Sequence, residues 1–308
     1  MQVRILGSSA GGGFPQWNCS CANCSRLRRA EFPGVARTQV QLAWSSSPGE
    51  WTLLNASPDL RFQIEAERDL WPQAAPDSSE GGRHSPIRHV ILTGAEVDQT
   101  LGLLLLREFH SFRVYSTAAV RRILTEGNNL FGVLARFPGQ VVWEDISMTE
   151  PFCVGDTRLE VLPLPGTYPG FVSRDMLGTL RPEGAVIGLL ISSSKGGRTL
   201  AFLPQVGCVS DALLERLEGC DAVLFDGTFW SDEEPSRIPG LGRTARQMGH
   251  LPISGGGSLE RLASLRRPRK IYIHINNTNP ILDEESPQHH AVREAGWEVA
   301  RDGMRIDL

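Results

Sequence analysis

Apolar residues along the chain fall into short runs rather than long ones. QVRIL (2–6), TQVQLAW (38–44), WTLLN (51–55), HVILT (89–93), FRVYST (112–117) and LEVLPL (159–164) come first. AVIGLLIS (185–192), TLAFLP (199–204), AVLFDG (222–227), KIYIHI (270–275) and MRIDL (304–308) follow. Most are rich in β-branched or aromatic residues and stop at Gly, Pro, Asn, Asp or Ser, which predicts strands. Between them lie segments with helical spacing of Leu, Val and Ile: SPDLRFQIEA, DQTLGLLLLREF, TAAVRRILTEG, SDALLERLEG and GSLERLASL. The first opens with Ser57 in the N-cap position and Pro58 at the first helical residue. Strands dominate early and interleave with helices later, so the expectation is an α/β fold of layered sheets with helices outside. A single domain over residues 1–308 fits this order, and PQAAPDSSEGGRHSP (Pro72–Pro86) reads as a surface loop.

Composition narrows the classes. The chain has 308 residues, 41% hydrophobic, with a formal net charge of −4, too mild for a nucleic-acid surface. Its densest basic stretch, RRPRK, reads as a solvated loop ahead of a strand. The longest apolar run, LGLLLLREF, is far short of the ~20 residues a membrane helix needs. With no secretory signal pattern, the expected location is cytoplasmic, with no membrane span.

Six cysteines divide into a cluster and a scatter. Cys153, Cys208 and Cys220 read as small buried hydrophobes. Cys19, Cys21 and Cys24 can converge on one ion, and three thiolates leave one corner of a Zn²⁺ tetrahedron open. His274, at the end of KIYIHI, is the chosen fourth ligand, with His250 as its rival. Cys21-x-x-Cys24 also has redox-pair spacing, but its glycine-rich loop setting favours structural zinc.

A second group of chemistry-bearing residues sits at strand ends. Glu96 and Asp98 follow HVILT, Asp226 follows AVLF, and GRTARQMGH carries Arg243, Arg246 and His250. Carboxylates and an imidazole suit Fe²⁺, Mn²⁺ or Zn²⁺. Each also has a plain structural use: Asp98 as a helix cap, Asp226 as a turn residue, His250 on the surface.

LGSSAGGGFPQWNCSCANC, LNASPDLR, FDGTFW, MGHLPISG, IHINNTNPILDEESP and DGM together resemble the coenzyme PQQ biosynthesis protein B family, a branch of the metallo-β-lactamase fold. The resemblance runs from the first strand to the C-terminus. It implies a metallo-β-lactamase-like αββα sandwich, two mixed β-sheets flanked by helices. It also implies structural zinc in the cysteine loop, and HINNTNP favours His274 as its fourth ligand. The wider fold carries H-x-H-x-D-H where this chain has Gly94, Glu96, Asp98 and Gln99, so a dinuclear zinc hydrolase is not expected. At position 99 the resemblance leads one to expect histidine.

The activity implied is iron- and O₂-dependent hydroxylation of a cross-linked Glu–Tyr precursor of pyrroloquinoline quinone (PQQ). Catalytic Fe²⁺ would be held by Glu96 and Asp98, with Asp226 next, while His250 or Asp226 moves protons and Arg243 or Arg246 binds substrate carboxylates. The alternative implied is a non-catalytic carrier that assists transport of PQQ or its precursor to the periplasm. A homodimer is a further expectation.

Overall fold

The computed structural model describes residues 1–308 apart from 48, 74–83, 194–195, 239 and 241. Most of the expected Pro72–Pro86 loop lies outside the described residues.

The first half builds β1 (Gln2–Gly7), β2 (Gln41–Ser47), β3 (Glu50–Leu54), β4 (Ile87–Ile91), β5 (Phe112–Ser116) and β6 (Val141–Asp145). The second builds β7 (Phe152–Val154), β8 (Thr157–Pro163), β9 (Ile187–Ser193), β10 (Thr199–Leu203), β11 (Ala222–Asp226), β12 (Arg269–Ile273), β13 (Trp297–Val299) and β14 (Met304–Asp307). They form two seven-stranded sheets, ordered β14-β1-β2-β3-β4-β5-β6 and β13-β12-β11-β10-β9-β8-β7. Each is mixed. The antiparallel half of the first holds β14, β1, β2 and β3, after which β4, β5 and β6 add in parallel. The second is parallel from β10 to β13 and antiparallel from β7 to β10.

Strand periodicity explains the layering. Successive side chains point to opposite faces, so a strand buried on both sides feeds two cores at once. Leu42 and Trp44 enter the core between the sheets, while Ala43 faces the helices outside. Likewise Leu224 points between the sheets, and Val223 and Phe225 point to the outer helices of the second sheet. The Trp44 indole N–H donates to Thr157 Oγ1 at 3.1 Å, joining the two sheets by a buried hydrogen bond. The chain therefore adopts the expected αββα sandwich, two mixed β-sheets flanked by helices.

Helices α1 (Ala22–Arg28), α2 (Leu60–Ala66), α3 (Val97–Thr100), α4 (Ala118–Thr125), α5 (Arg174–Leu177), α6 (Asp211–Glu218), α7 (Ser258–Arg261) and α8 (Pro287–Glu294) connect the strands. Thr117 and Ser210 cap α4 and α6 through their hydroxyls. Three details differ from expectation. Helix α2 starts at Leu60 behind Asp59, so Ser57 and Pro58 precede it; Ser57 instead donates to Gln63 Oε1, while Gln63 Nε2 donates to Thr38 Oγ1 and the Gln39 carbonyl ahead of β2. DQTLGLLLLREF is α3 followed by a 3₁₀ turn, Leu101–Arg107, not one α-helix. Cys153 and Cys208 are exposed; of the scattered cysteines only Cys220 is buried, and burial pushes its thiol up to about 11. Among the described residues no helix is long and apolar enough to cross a membrane.

Candidate functional site

The site forms where several strands end together. Asp226 is the last residue of β11, His274 follows β12, and Glu96–Gln99 lie just past β4. His250 follows a left-handed Gly249 (φ 84°) that turns the chain back toward Val206. Ligand sites in open sheets favour these carboxyl ends, where backbone hydrogen bonding gives way to loops.

Asp226 organises the centre. It is fully buried, and four donors saturate its carboxylate. Oδ1 accepts from the Thr228 N–H at 3.0 Å and the Thr228 hydroxyl at 2.6 Å; Oδ2 accepts from Val206 N–H at 2.8 Å and lies 2.8 Å from His250 Nδ1. Burial opposes the charge on Asp226, but His250, His274 and Thr228 outweigh it and hold the carboxyl below its ordinary range. Thr228 Oγ1 also lies 2.8 Å from His274 Nδ1. With its hydroxyl proton committed to Asp226, Thr228 accepts from His274 Nδ1–H. Both imidazoles are thus held through Nδ1 and turn Nε2 toward the cavity. The two rings stack 5.6 Å apart at 18°, edge-on to Phe229 on the His250 side.

Asp98 meets this pair from the other sheet, with Oδ2 3.4 Å from His274 Nε2. Gly11, whose Cβ would come within 3.5 Å of that oxygen, crosses close to it. Glu96 lies beside it, and burial first, then the Asp98 charge, raises its carboxyl to about 7. These residues line a cavity of about 500 Å³ together with Gln39, Gln99, Tyr168, Gln205, Arg243, Met248 and Asn276.

Asp226, His250 and His274 bring one donor atom each within 4.8 Å of one another, and Asp98 touches His274. The donor set is oxygen and imidazole nitrogen, which fits a divalent transition ion. Because Asp226 is saturated by protein donors, the groups facing the cavity where such an ion would lie are His250 Nε2, His274 Nε2, Asp98 and Glu96. Gln99 stands in the same wall, buried, with its Oε1 unpartnered and packed so tightly on Gly94 that a Cβ there would fall 2.5 Å away.

The three clustered thiols converge as expected, with Cys19, Cys21 and Cys24 donor atoms within 4.8 Å of one another. His274 does not join them, which corrects its assignment as fourth ligand: left-handed backbone (φ 59°) carries its ring into the cavity. The side chain facing the sulfurs is Asn277, whose Nδ2 lies 3.1, 3.7 and 3.3 Å from Cys19, Cys21 and Cys24. Burial works against the Cys19 thiolate, but hydrogen bonds from Cys21, Cys24 and Asn277 lower its pKa; burial raises Cys24 to about 11. Cys21 also caps α1, so the cluster opens a helix rather than a plain loop.

Arg243 and Arg246 part company. Arg243 lines the cavity, braced by the Gln247 carbonyl, whereas Arg246 turns to the Gly256 carbonyl and lies outside the lining, a correction to its pairing with Arg243. Thr228, Asn276 and Asn277 were missed, although FDGTFW and HINNTNP carry them; a neutral side chain gives no charge signal in sequence.

Residues 50–275 match the beta-lactamase superfamily domain. Over their full lengths the chain is 42% identical to the coenzyme PQQ synthesis protein B of Pseudomonas putida (strain W619) and 43% identical to that of Azotobacter vinelandii. A crystal structure of Zn(2+)-bound PqqB from Methylobacterium extorquens superposes with a TM-score of 0.90 at 38% identity, covering 100% of both chains. A diphosphatase of the PhnP family shares the fold at 19% identity with a TM-score of 0.65. With relatives this similar over its whole length, the chain belongs to the coenzyme PQQ synthesis protein B family of the beta-lactamase superfamily.

Proposed function

We propose that this protein acts in PQQ synthesis as an iron- and O₂-dependent hydroxylase of the Glu–Tyr-derived precursor. The observation carrying this reading is the pair of outward-facing Nε2 atoms, locked by Asp226 and Thr228, beside Asp98 in one cavity. Two imidazoles and one carboxylate with open positions make the donor set of non-haem Fe(II) oxygenases. His250, His274 and Asp98 would hold Fe²⁺, which when bound supplies O₂ activation. One oxygen atom enters the ring C–H bond; the other leaves as water, taking two protons and two electrons from a thiol- or ascorbate-class reductant.

Arg243 at the cavity wall takes a substrate carboxylate in a bidentate contact, while Tyr168 and Phe229 flank the aromatic ring. Asp226 holds the two imidazole tautomers rather than shuttling protons, since none of its lone pairs is left free. Cys19, Cys21 and Cys24 would hold a structural Zn²⁺, and the Asn277 carboxamide faces their three sulfurs.

The test is anaerobic Fe²⁺ loading followed by O₂ uptake with precursor. Iron retained by the wild-type protein, lost in His250→Ala and Asp98→Ala, with precursor-dependent O₂ consumption, is the expected result. Tight PQQ binding without O₂ uptake would instead assign a carrier.

A further inference from the structure

The thiol cluster and the imidazole pair are two ends of one short segment. His274 lies in the cavity; Asn277, three residues on, faces the thiols, so the two are at most about 10 Å apart along the backbone. The segment as a whole is fixed on both flanks. Asn276 N–H donates to the Thr228 carbonyl, and Asn279 Nδ2 donates to the carbonyls of Gly227 and Thr228, beside Asp226. On the cysteine side Asn23, inside the Cys21–Cys24 helix, donates to the carbonyls of Asn277 and Asn279. Thr278 bonds the buried Glu234 at 2.6 Å, and Asn276 bonds Thr278.

His274 itself holds a left-handed backbone, a conformation costly to a residue with a Cβ and maintained only when its surroundings over-determine it. Local sequence provides no glycine or turn dipeptide there. The anchors that hold it are Thr228 on one side and, on the other, Ile275, bonded through its backbone to Ser8, Ser9 and Ala10, followed by the 276–279 contacts.

We propose that Asn277 is a positioning residue through which the thiol cluster sets the orientation of His274, so that the two sites are energetically coupled. Packing of the Asn277 amide against the three sulfurs fixes the segment; loosening the sulfurs frees the backbone that presents Nε2 to the cavity. The proposal rests on the reading of the cavity as a cation site, and its test separates the two.

The experiment is a double-mutant cycle on Cys24→Ser and Asn277→Ala, read as Mn²⁺ affinity by electron paramagnetic resonance, with His250→Ala marking the cavity. Each single variant should bind Mn²⁺ roughly tenfold more weakly than wild type, and the double variant no more weakly than either. A single variant within twofold of wild type, or losses that multiply in the double variant, overturns the coupling. Should Cys24→Ser fail to fold, Cys19→Ser replaces it.

The ¹³Cε1–¹H signal of His274 provides the ion-free readout: it should move in the same variants while that of His289 stays. Absence of Mn²⁺ binding in wild type would defeat the cation-site reading, and an unmoved His274 signal would then defeat the coupling separately. Zinc content is measured alongside, so a wild type without thiol-bound zinc fails the clamp reading alone.

Discussion

Asp226 decides the character of the site from behind the two imidazoles, its carboxylate occupied by protein donors. Replacing one of its oxygens by an amide leaves His250 Nδ1–H or Thr228 facing a donor, so Asp226→Asn should lower Fe²⁺ or Mn²⁺ affinity about 10–100-fold with little change in volume. Thr228→Val should disturb His274 and spare His250, a difference that histidine NMR resolves. Glycines near these residues differ in tolerance. At Gly227 an added Cβ would meet Tyr272 Cβ at 2.8 Å and the Ile273 carbonyl at 3.2 Å, both held by β12. At Gly94 the obstacle is the end of a flexible glutamine. Gly227→Ala should therefore destabilise by about 1–3 kcal/mol in urea unfolding, more than Gly94→Ala. The carboxylates were legible as chemistry because charged residues at strand ends stand out. Which of them faces the cavity was not, because saturation of Asp226 comes from Val206, Thr228 and His250, up to 24 residues distant.

At the scale of elements, strands were easier to read than their partners. Runs such as AVLFD and KIYI are buried on both faces and bounded by turn residues, and they appear as β11 and β12. β6, with the sequence VVWED, was missed because an edge strand is only half covered and its polar residues break the pattern. β7 and β13 have three residues each, too few for a period to show. The Leu run after Asp98 winds as 3₁₀ because its tertiary contacts, including Gly102 N–H to the Ala56 carbonyl, dictate its path. The 230–250 connection carries a testable electrostatic load. Burial raises Glu234 from 4.5 to about 7 despite hydrogen bonds from Thr278 and the Trp230 N–H. A raised carboxyl favours the folded state below its unfolded pKa, and that advantage fades as pH rises through about 7. Glu234→Gln should remove this dependence. The stability difference, variant minus wild type, should grow between pH 4.5 and 8, by up to about 3 kcal/mol, in urea titrations at both ends.

At the scale of the molecule, two sheets and a thiol clamp join distant parts of the chain. β14 pairs with β1, and Asn277 meets cysteines more than 250 residues earlier. An ion bound there stabilises only the folded state, so stripping it with a chelator should lower the thermal midpoint by roughly 5–15 °C, measured by calorimetry with and without added Zn²⁺. The layered strands, the strand ends that bear the site and the cysteine spacing were legible in the sequence alone, because each rests on residues close together in the chain: a period of two, a turn, a spacing of two and three; the αββα sandwich was implied by the family resemblance. Tertiary structure decided the partners. His274 lies next to a strand that could aim it at either cluster, and the backbone turn at that residue sent it to the cavity and left Asn277 with the thiols. Side-chain direction at a strand's end depends on one pair of dihedral angles set by long-range contacts, and no local pattern encodes them.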